Sequence, residues 1–265
     1  MFSEAKPIKE IVSISEAMYR KGWNEYNGGN ISLLLDQSEA EEFGSEVMGE
    51  IELPAEFPEL SGRVFAITRS GSCFRLIKES PERDIGVLRI SCDGRRAELV
   101  AGFCEGGRPT SELVMHLGAH RTRLSMGNQR AVLHCHPADV IAMTTRVKPD
   151  SREFTRKLWG MMTECAVLFP DGVGLIDWQL SSSTGLGLKS AEYFRDHRAV
   201  VWAMHGVTCV GASVEEAFGI IETVDKAASI WLKAGAPDGQ CGISPAQVKT
   251  ILGAFGLKTK DGWLD

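Results

Sequence analysis

Along most of the chain, apolar and polar positions follow either a helical or a strand period. Ile8, Ile11, Val12, Ser15 and Tyr19 fall at helical spacing, with Pro7 in a first-turn position and Gly22 as a stop, so an N-terminal amphipathic helix is expected. The turn Asn27-Gly28-Gly29-Asn30 then feeds the short apolar run Ile31 to Leu35, which reads as a strand. Residues 36–59 carry many acids and three separated apolar clusters without a period, which predicts a solvated loop or insertion. Val64 to Thr68, Val87 to Ile90 and Ala97 to Val100 read as short strands, and Thr110 to Leu124 has the spacing and caps of a helix. Strand and helix then alternate. Ala131 to His136, Ala166 to Phe169 and Val200 to Met204 are β-rich runs, while Phe154 to Met162, Leu188 to Asp196 and Val214 to Lys233 are helical. The pattern predicts one α/β domain over 1–265 with helices flanking a sheet, and no repeat or linker marks a second domain.

Composition narrows the classes of function. At 265 residues, with 43% hydrophobic and 24% charged positions, the chain can bury roughly 70–75% of its unfolded surface and requires no disulfide or structural metal. A net charge of -6 and a pI near 5.6 argue against nucleic acid as a partner and favour small metabolites. No apolar run approaches the roughly 20 residues of a membrane span, and the opening residues lack a signal-peptide core, so no membrane association and a cytoplasmic location are expected. Seven cysteines (Cys73, Cys92, Cys104, Cys135, Cys165, Cys209, Cys241) never occur as CxxC; they read as reduced, mostly buried small hydrophobes.

Chemistry concentrates in a few places. His134 and His136 are two apart on a strand ended by Pro137, so both rings face one side and can share a metal ion while Cys135 points into the opposite layer. His205 stands at another strand end, before Gly206. Three imidazoles from two strands would leave zinc an open position, which suits Lewis-acid catalysis; the bland alternative is three satisfied core histidines. Glu112, His116 and His120 form a competing set at helical spacing, but ExxxHxxxH does not match HExxH, and His116 and His120 read better as packing or surface residues. Glu112 in a first helical turn is either a partner of the helix dipole or a base for a proton alpha to a carbonyl. Asn27 to Asn30 and Ser70-Gly71-Ser72 are small-residue loops whose amides could surround a phosphate, or simple turns; neither is a nucleotide motif.

The blocks GWNEYNGGN (22–30), ITRSGSCFR (67–75), PTSELVMH (109–116), LHCHP (133–137), TECAVLFPDGVG (163–174), HGV (205–207) and FGIIETVDKAA (218–228) occur in order and together resemble the class II aldolase/adducin family. The resemblance implies a three-layer αβα fold around a mixed, mostly antiparallel sheet and a cyclic homotetramer. It implies cleavage of a ketose 1-phosphate to dihydroxyacetone phosphate and an aldehyde through an enediolate stabilised by zinc, without a Schiff-base lysine. By matching position, His134, His136 and His205 would hold one Zn2+ per subunit and Glu112 would exchange the proton at the carbon that becomes nucleophilic. Asn27, Asn30, Ser70, Gly71 and Ser111 would hold the phosphate, and Glu164 would serve the aldehyde half. Related branches of the family epimerise pentulose phosphates, dehydrate, or act as non-catalytic adducin-like binding modules. Arg69 stands where a small residue is expected beside the phosphate loop, and 36–59 and 229–265 match the family only loosely.

Overall fold

The computed structural model describes residues 1–237 and 242–265; Cys241 lies outside them. Helix α1 (Lys6–Arg20) is followed by β1 (Asn30–Leu34), α2 (Gln37–Glu41), β2 (Gly49–Glu52), β3 (Val64–Thr68), α3 (Pro81–Asp84), β4 (Ile85–Ile90) and β5 (Arg96–Gly102). Then come α4 (Leu113–Leu124), β6 (Ala131–Cys135), α5 (Ala138–Thr144), α6 (Ser151–Trp159), α7 (Thr163–Leu168) and β7 (Val173–Ile176). The chain ends with α8 (Thr184–Tyr193), β8 (Ala199–Trp202), β9 (Gly206–Gly211), α9 (Val214–Lys233) and α10 (Pro245–Ala254).

The nine strands form one sheet in the order β2-β5-β4-β3-β1-β6-β9-β8-β7. Among the described residues β7 and β8 pair in parallel and the other neighbours are antiparallel. Alternation along the strands sends side chains to two cores. Ile31, Leu133, Cys135 and Val207 pack with α1 and α9 on one face. Val132, Val200 and Trp202 pack with α4 and α8 on the other, beside a cluster in which Phe65 and Leu88 meet Leu113 and Leu117. The result is the expected three-layer αβα arrangement around a mostly antiparallel sheet.

Register brings the chemistry to one end of the sheet. Asn30 at the start of β1 faces His134 near the end of β6, Ser32 pairs with Ile67 just before the end of β3, and Cys135 pairs with Val207 at the start of β9. Trp202 at the end of β8 pairs with Gly206, so the turn that holds His205 opens at the same end. The segment before α4 joins them through Thr110 N, which donates to Thr68 O at 3.0 Å.

Several expectations change. Ala166 to Phe169 is not a strand: Met162, Cys165, Ala166 and Phe169 are spaced i, i+3, i+4, i+7, and the run forms α7 and the residue after it, with Cys165, Ala166 and Phe169 buried. Helix α4 begins at Leu113, because Pro109 and Thr110 are held extended beside β3, so Glu112 is its cap residue and lies outside the first turn. Tyr19 is 43% exposed; the buried stripe of α1 runs through Ile8, Ile11, Ile14, Ser15 and Met18. Residues 36–59 are ordered. Asp36 and Glu39 form a capping box on α2, β2 pairs with β5 at the sheet edge, and Phe57 is fully buried with Leu60 just beyond the segment. The edge strand alternates half-buried and exposed positions, which is why its acids disguised it. Of the described cysteines, which are free, Cys135, Cys165 and Cys209 are buried while Cys92 and Cys104 are exposed.

The C-terminal tail docks away from His134, His136 and His205. Trp263 packs on Trp159 and His197 and covers Gly172, all before β7 or β8 begins, and Arg152 Nη2 donates to Asp265 O at 2.8 Å.

Candidate metal centre and active site

His134 and His136 leave β6 with their tautomers set by their surroundings. His134 Nδ1 lies 3.1 Å from both Val207 O and Thr208 Oγ1, and His136 Nδ1 lies 2.7 Å from Glu25 Oε1. The Val207 carbonyl only accepts, so His134 carries its hydrogen on Nδ1 and turns a bare Nε2 inward, and His136, with its Nδ1 on the Glu25 carboxylate, turns its Nε2 the same way. The two Nε2 atoms are 3.2 Å apart. Tetrahedral ligands with zinc–nitrogen bonds of about 2.1 Å have nitrogens roughly 3.4 Å apart, so this spacing suits one shared ion. His205, in the turn between β8 and β9, completes the group, with one ring nitrogen of each residue within 4.8 Å of the others. Met204 before it has φ +57°, a left-handed turn that aims the next side chain back over the strand ends. The residues therefore fit a divalent cation with three imidazole ligands.

Electrostatics support the same use. Burial, followed by His136 and His205, drives the His134 imidazolium well below the usual histidine range; burial and His136 push His205 down to about 4. Neutral rings at physiological pH are what a cation needs as ligands. Trp202 packs at a tilt against His134 and His205 with centroids 4.7 and 5.0 Å away, and its Nε1 donates to Ser190 Oγ at 2.9 Å, which fixes the wall behind them.

Glu112 is 7% exposed and faces this centre, its Oε2 3.5 Å from His134 Nε2 and its Oε1 3.9 Å from His205 Nε2. Burial raises its carboxyl above the ordinary range, opposed by the Asn30 hydrogen bond and by His136. His116 and His120, the competing metal set with Glu112, are buried instead in a hydrogen-bonded line through Ser32, and neither joins the cation group.

The expected phosphate residues gather at the same end of the sheet. Ser70 N donates to Arg108 O, and Arg69 bridges to Pro109, which sets the exposed Ser70-Gly71 loop beside the segment that leads to Ser111. Arg69 itself turns aside to pair with the buried Asp84, Nη2 to Oδ1 3.2 Å. Asn27 is exposed on a loop pressed against the histidines: a Cβ on Gly28 would lie 2.8 Å from His136 Nδ1, and one on Gly29 2.7 Å from His134 O. Asn30 is buried, with Nδ2 on Glu112 and Oδ1 on His116, so one amide hydrogen is left to offer elsewhere. Glu164 stands apart, exposed on α7, whose end bonds to Arg198 through Leu168 O at the opposite end of β8 from His205. Glu25 escaped the sequence reading because an exposed loop acid carries no pattern. Ser32 had a signal, a polar residue two from Asn30 in an interior strand.

Residues 9–232 match the family model described as Class II Aldolase and Adducin N-terminal domain. The chain belongs to that family. It is 38% identical over 262 residues, 97% of this chain and 96% of the other, to a protein of Listeria monocytogenes named rhamnulose-1-phosphate aldolase. A protein of the same name from Enterococcus faecalis is 37% identical over 266 residues, covering 99% of this chain and 95% of its own. The solved structure of a sugar-phosphate aldolase from Thermotoga maritima superposes with a TM-score of 0.76 at 30% identity, covering 87% of this chain and 95% of that one. A solved L-fuculose 1-phosphate aldolase, at 20% identity and a TM-score of 0.65 over 96% of this chain and 98% of its own, shares the fold. Within the family the chain falls among the enzymes, as a carbon–carbon lyase of the aldolase kind.

Proposed function

We propose that the chain cleaves L-rhamnulose 1-phosphate to dihydroxyacetone phosphate and L-lactaldehyde, using one zinc ion held by His134, His136 and His205. The observation that carries this reading is the convergence of three histidines, one ring nitrogen of each within 4.8 Å of the others, with a buried carboxylate 3.5 Å from one of them. The names of the near full-length relatives supply the substrate. Zinc, when bound, supplies a Lewis acid that draws electron density from the ketose carbonyl. The protein's own groups do the rest. Glu112, with its carboxyl raised by burial, is poised to give a proton to C3 as the C3–C4 bond breaks and to take it back in condensation, while the C4 hydroxyl's proton leaves to solvent as the aldehyde carbonyl forms. The amides and hydroxyls of Asn27, Asn30, Ser70, Gly71 and Ser111 bind the phosphate and set the substrate's register, and Trp202 keeps water from one side of the site. Glu164 is assigned to the aldehyde half, and being remote from the histidines of its own chain it reaches that half from a second copy.

A homotetramer belongs to the same proposal. Trp178, Leu180 and Met204, each more than half exposed around the site's end of the sheet, are the apolar surface such an assembly buries. The substrate is a small sugar phosphate, with no nucleic acid or membrane involved, and the location is cytoplasmic; among the described residues no helix is long and apolar enough to cross a membrane.

The deciding experiment offers zinc-loaded and chelator-stripped protein L-rhamnulose 1-phosphate, L-fuculose 1-phosphate and L-ribulose 5-phosphate. Dihydroxyacetone phosphate from the first, only with metal, is expected. Preferential epimerisation of the pentulose, or no turnover of any of the three, overturns the proposal.

A further inference from the structure

Behind Glu112, four polar side chains lie buried between the sheet and α4: Asn30 and Ser32 on β1, His116 and His120 on α4. They form one line. Asn30 Nδ2 donates to Glu112 Oε2 at 2.9 Å, His116 Nε2 lies 2.6 Å from Asn30 Oδ1, Ser32 Oγ 2.7 Å from His116 Nδ1, and His120 Nε2 2.8 Å from Ser32 Oγ. Elimination fixes the donors. An ionised carboxylate only accepts, so it faces the amide nitrogen of Asn30; the amide oxygen only accepts, so His116 carries its hydrogen on Nε2. Burial keeps both imidazoles neutral. His116 Nδ1 is then bare and takes the Ser32 hydroxyl hydrogen, and the Ser32 oxygen takes the hydrogen on His120 Nε2. Every hydrogen in the line points toward Glu112. His120 Nδ1, buried and without a partner among the described residues, ends it beside the Phe65 ring, 4.8 Å away.

We infer that His116, Ser32 and His120 are positioning residues for Glu112, and that their line pins Oε2 so that Oε1 is the oxygen that takes and returns the substrate's proton. The inference rests on Glu112 being the base proposed above. Aligned donors polarise one another, so the last bond holds the carboxylate more firmly than a lone amide contact does. Without that bond a carboxylate in this buried setting would rotate or neutralise. The line is no conduit, because its far end is closed. A proton gained by Glu112 stays on Oε1, the oxygen on the His205 side, until carbon takes it back.

Two measurements test this. Nitrogen-15 spectra of histidine-labelled, metal-free protein are expected to show both His116 and His120 hydrogen-bearing at Nε2; an Nδ1–H tautomer at His116 overturns the line. The second follows exchange of the C3 hydrogen of dihydroxyacetone phosphate with deuterated water, which reads the proton step alone. His116→Leu is expected to slow exchange about 10–100-fold with metal stoichiometry and KM little changed. His116→Gln, whose amide can donate to Asn30 and accept from Ser32, is expected to recover most of the rate. Unchanged exchange in His116→Leu, a loss that tracks lost metal, or a glutamine no better than leucine each overturns the inference. Should His116→Leu not fold, Ser32→Ala is read by the same criteria. A zinc-loaded wild type that exchanges while its variants match it sinks only the positioning role; a wild type with no exchange sinks the proposed function and this inference together.

Discussion

Gly28→Ala is a small change with a sharp expected effect. The added methyl would sit 2.8 Å from His136 Nδ1, 2.9 Å from its Cε1 and 3.1 Å from Glu25 O, where ordinary contact begins at 3.4 Å. The ring must therefore withdraw by roughly 0.6 Å or break its bond to Glu25, and either motion displaces Nε2. Metal–ligand distances tolerate only about 0.2 Å, so the displacement is not absorbed. Disturbing the outer partner of a metal-bound histidine typically costs about 10–100-fold in affinity, or roughly 1.4–2.8 kcal/mol. The backbone at Gly28 is not left-handed and the loop lies near the surface, so the metal-free fold is expected to change by less than about 1 kcal/mol. Competition with a chromogenic chelator measures the affinity, and denaturant unfolding of stripped protein measures the fold. Gly219→Ala on α9, where a methyl meets nothing within 4 Å, is the control and should stabilise by up to about 1 kcal/mol with unchanged metal binding. If Gly28→Ala binds metal as tightly as the wild type, the inward Nε2 of His136 is not a ligand.

Glu112→Gln should retain full metal and lose about 10²–10⁴-fold in turnover, measured as dihydroxyacetone phosphate released; wild-type turnover reassigns the base. Buried His120, pushed down to about 3, and His116, pushed well below its usual value, remain neutral in the fold, whereas both protonate near 6.5 when unfolded. The unfolded chain then binds more protons, so their contribution is complete above pH 6.5 and shrinks below it, by about 1.4 kcal/mol per pH unit per histidine. The raised carboxyls of Glu112 and Asp225 have the opposite sign: their cost at neutral pH is relieved as pH falls through their folded values, and it offsets part of the loss. Urea unfolding of stripped protein at pH 7, 6 and 5 should show a net fall, and a flat profile contradicts the buried neutral histidines. Trp263→Ala should destabilise by about 3 kcal/mol, read by thermal unfolding, with metal affinity unchanged because the tail docks at the opposite end of the sheet.

What the sequence made legible follows from how local each cause is. The placement of His134 and His136 on one side follows from the strand period alone, and the helices with regular apolar stripes, α1 and α9, needed nothing further. Strand direction and layer count came only with the family resemblance, since pairing is a non-local choice. Ala166 to Phe169 misled because four contiguous apolar residues look the same in a buried strand and a buried helix; Met162 and Cys165 upstream carried the helical period. β7 was hidden by its length and by Gly174, where a Cβ would strike Tyr193 and His197, so its glycine answers to α8 and not to the strand. Glu25 acts through a contact 111 positions away and has no local mark. Asn30, Ser32, His116 and His120 differ from it. Two polar residues at strand spacing in an interior strand, and two at helical spacing on a helix otherwise buried on that face, each leave donors and acceptors that must be satisfied without water. With α4 lying over β1, each set is the other's most economical partner, and the glutamate at the cap of that helix is where such a line has to end.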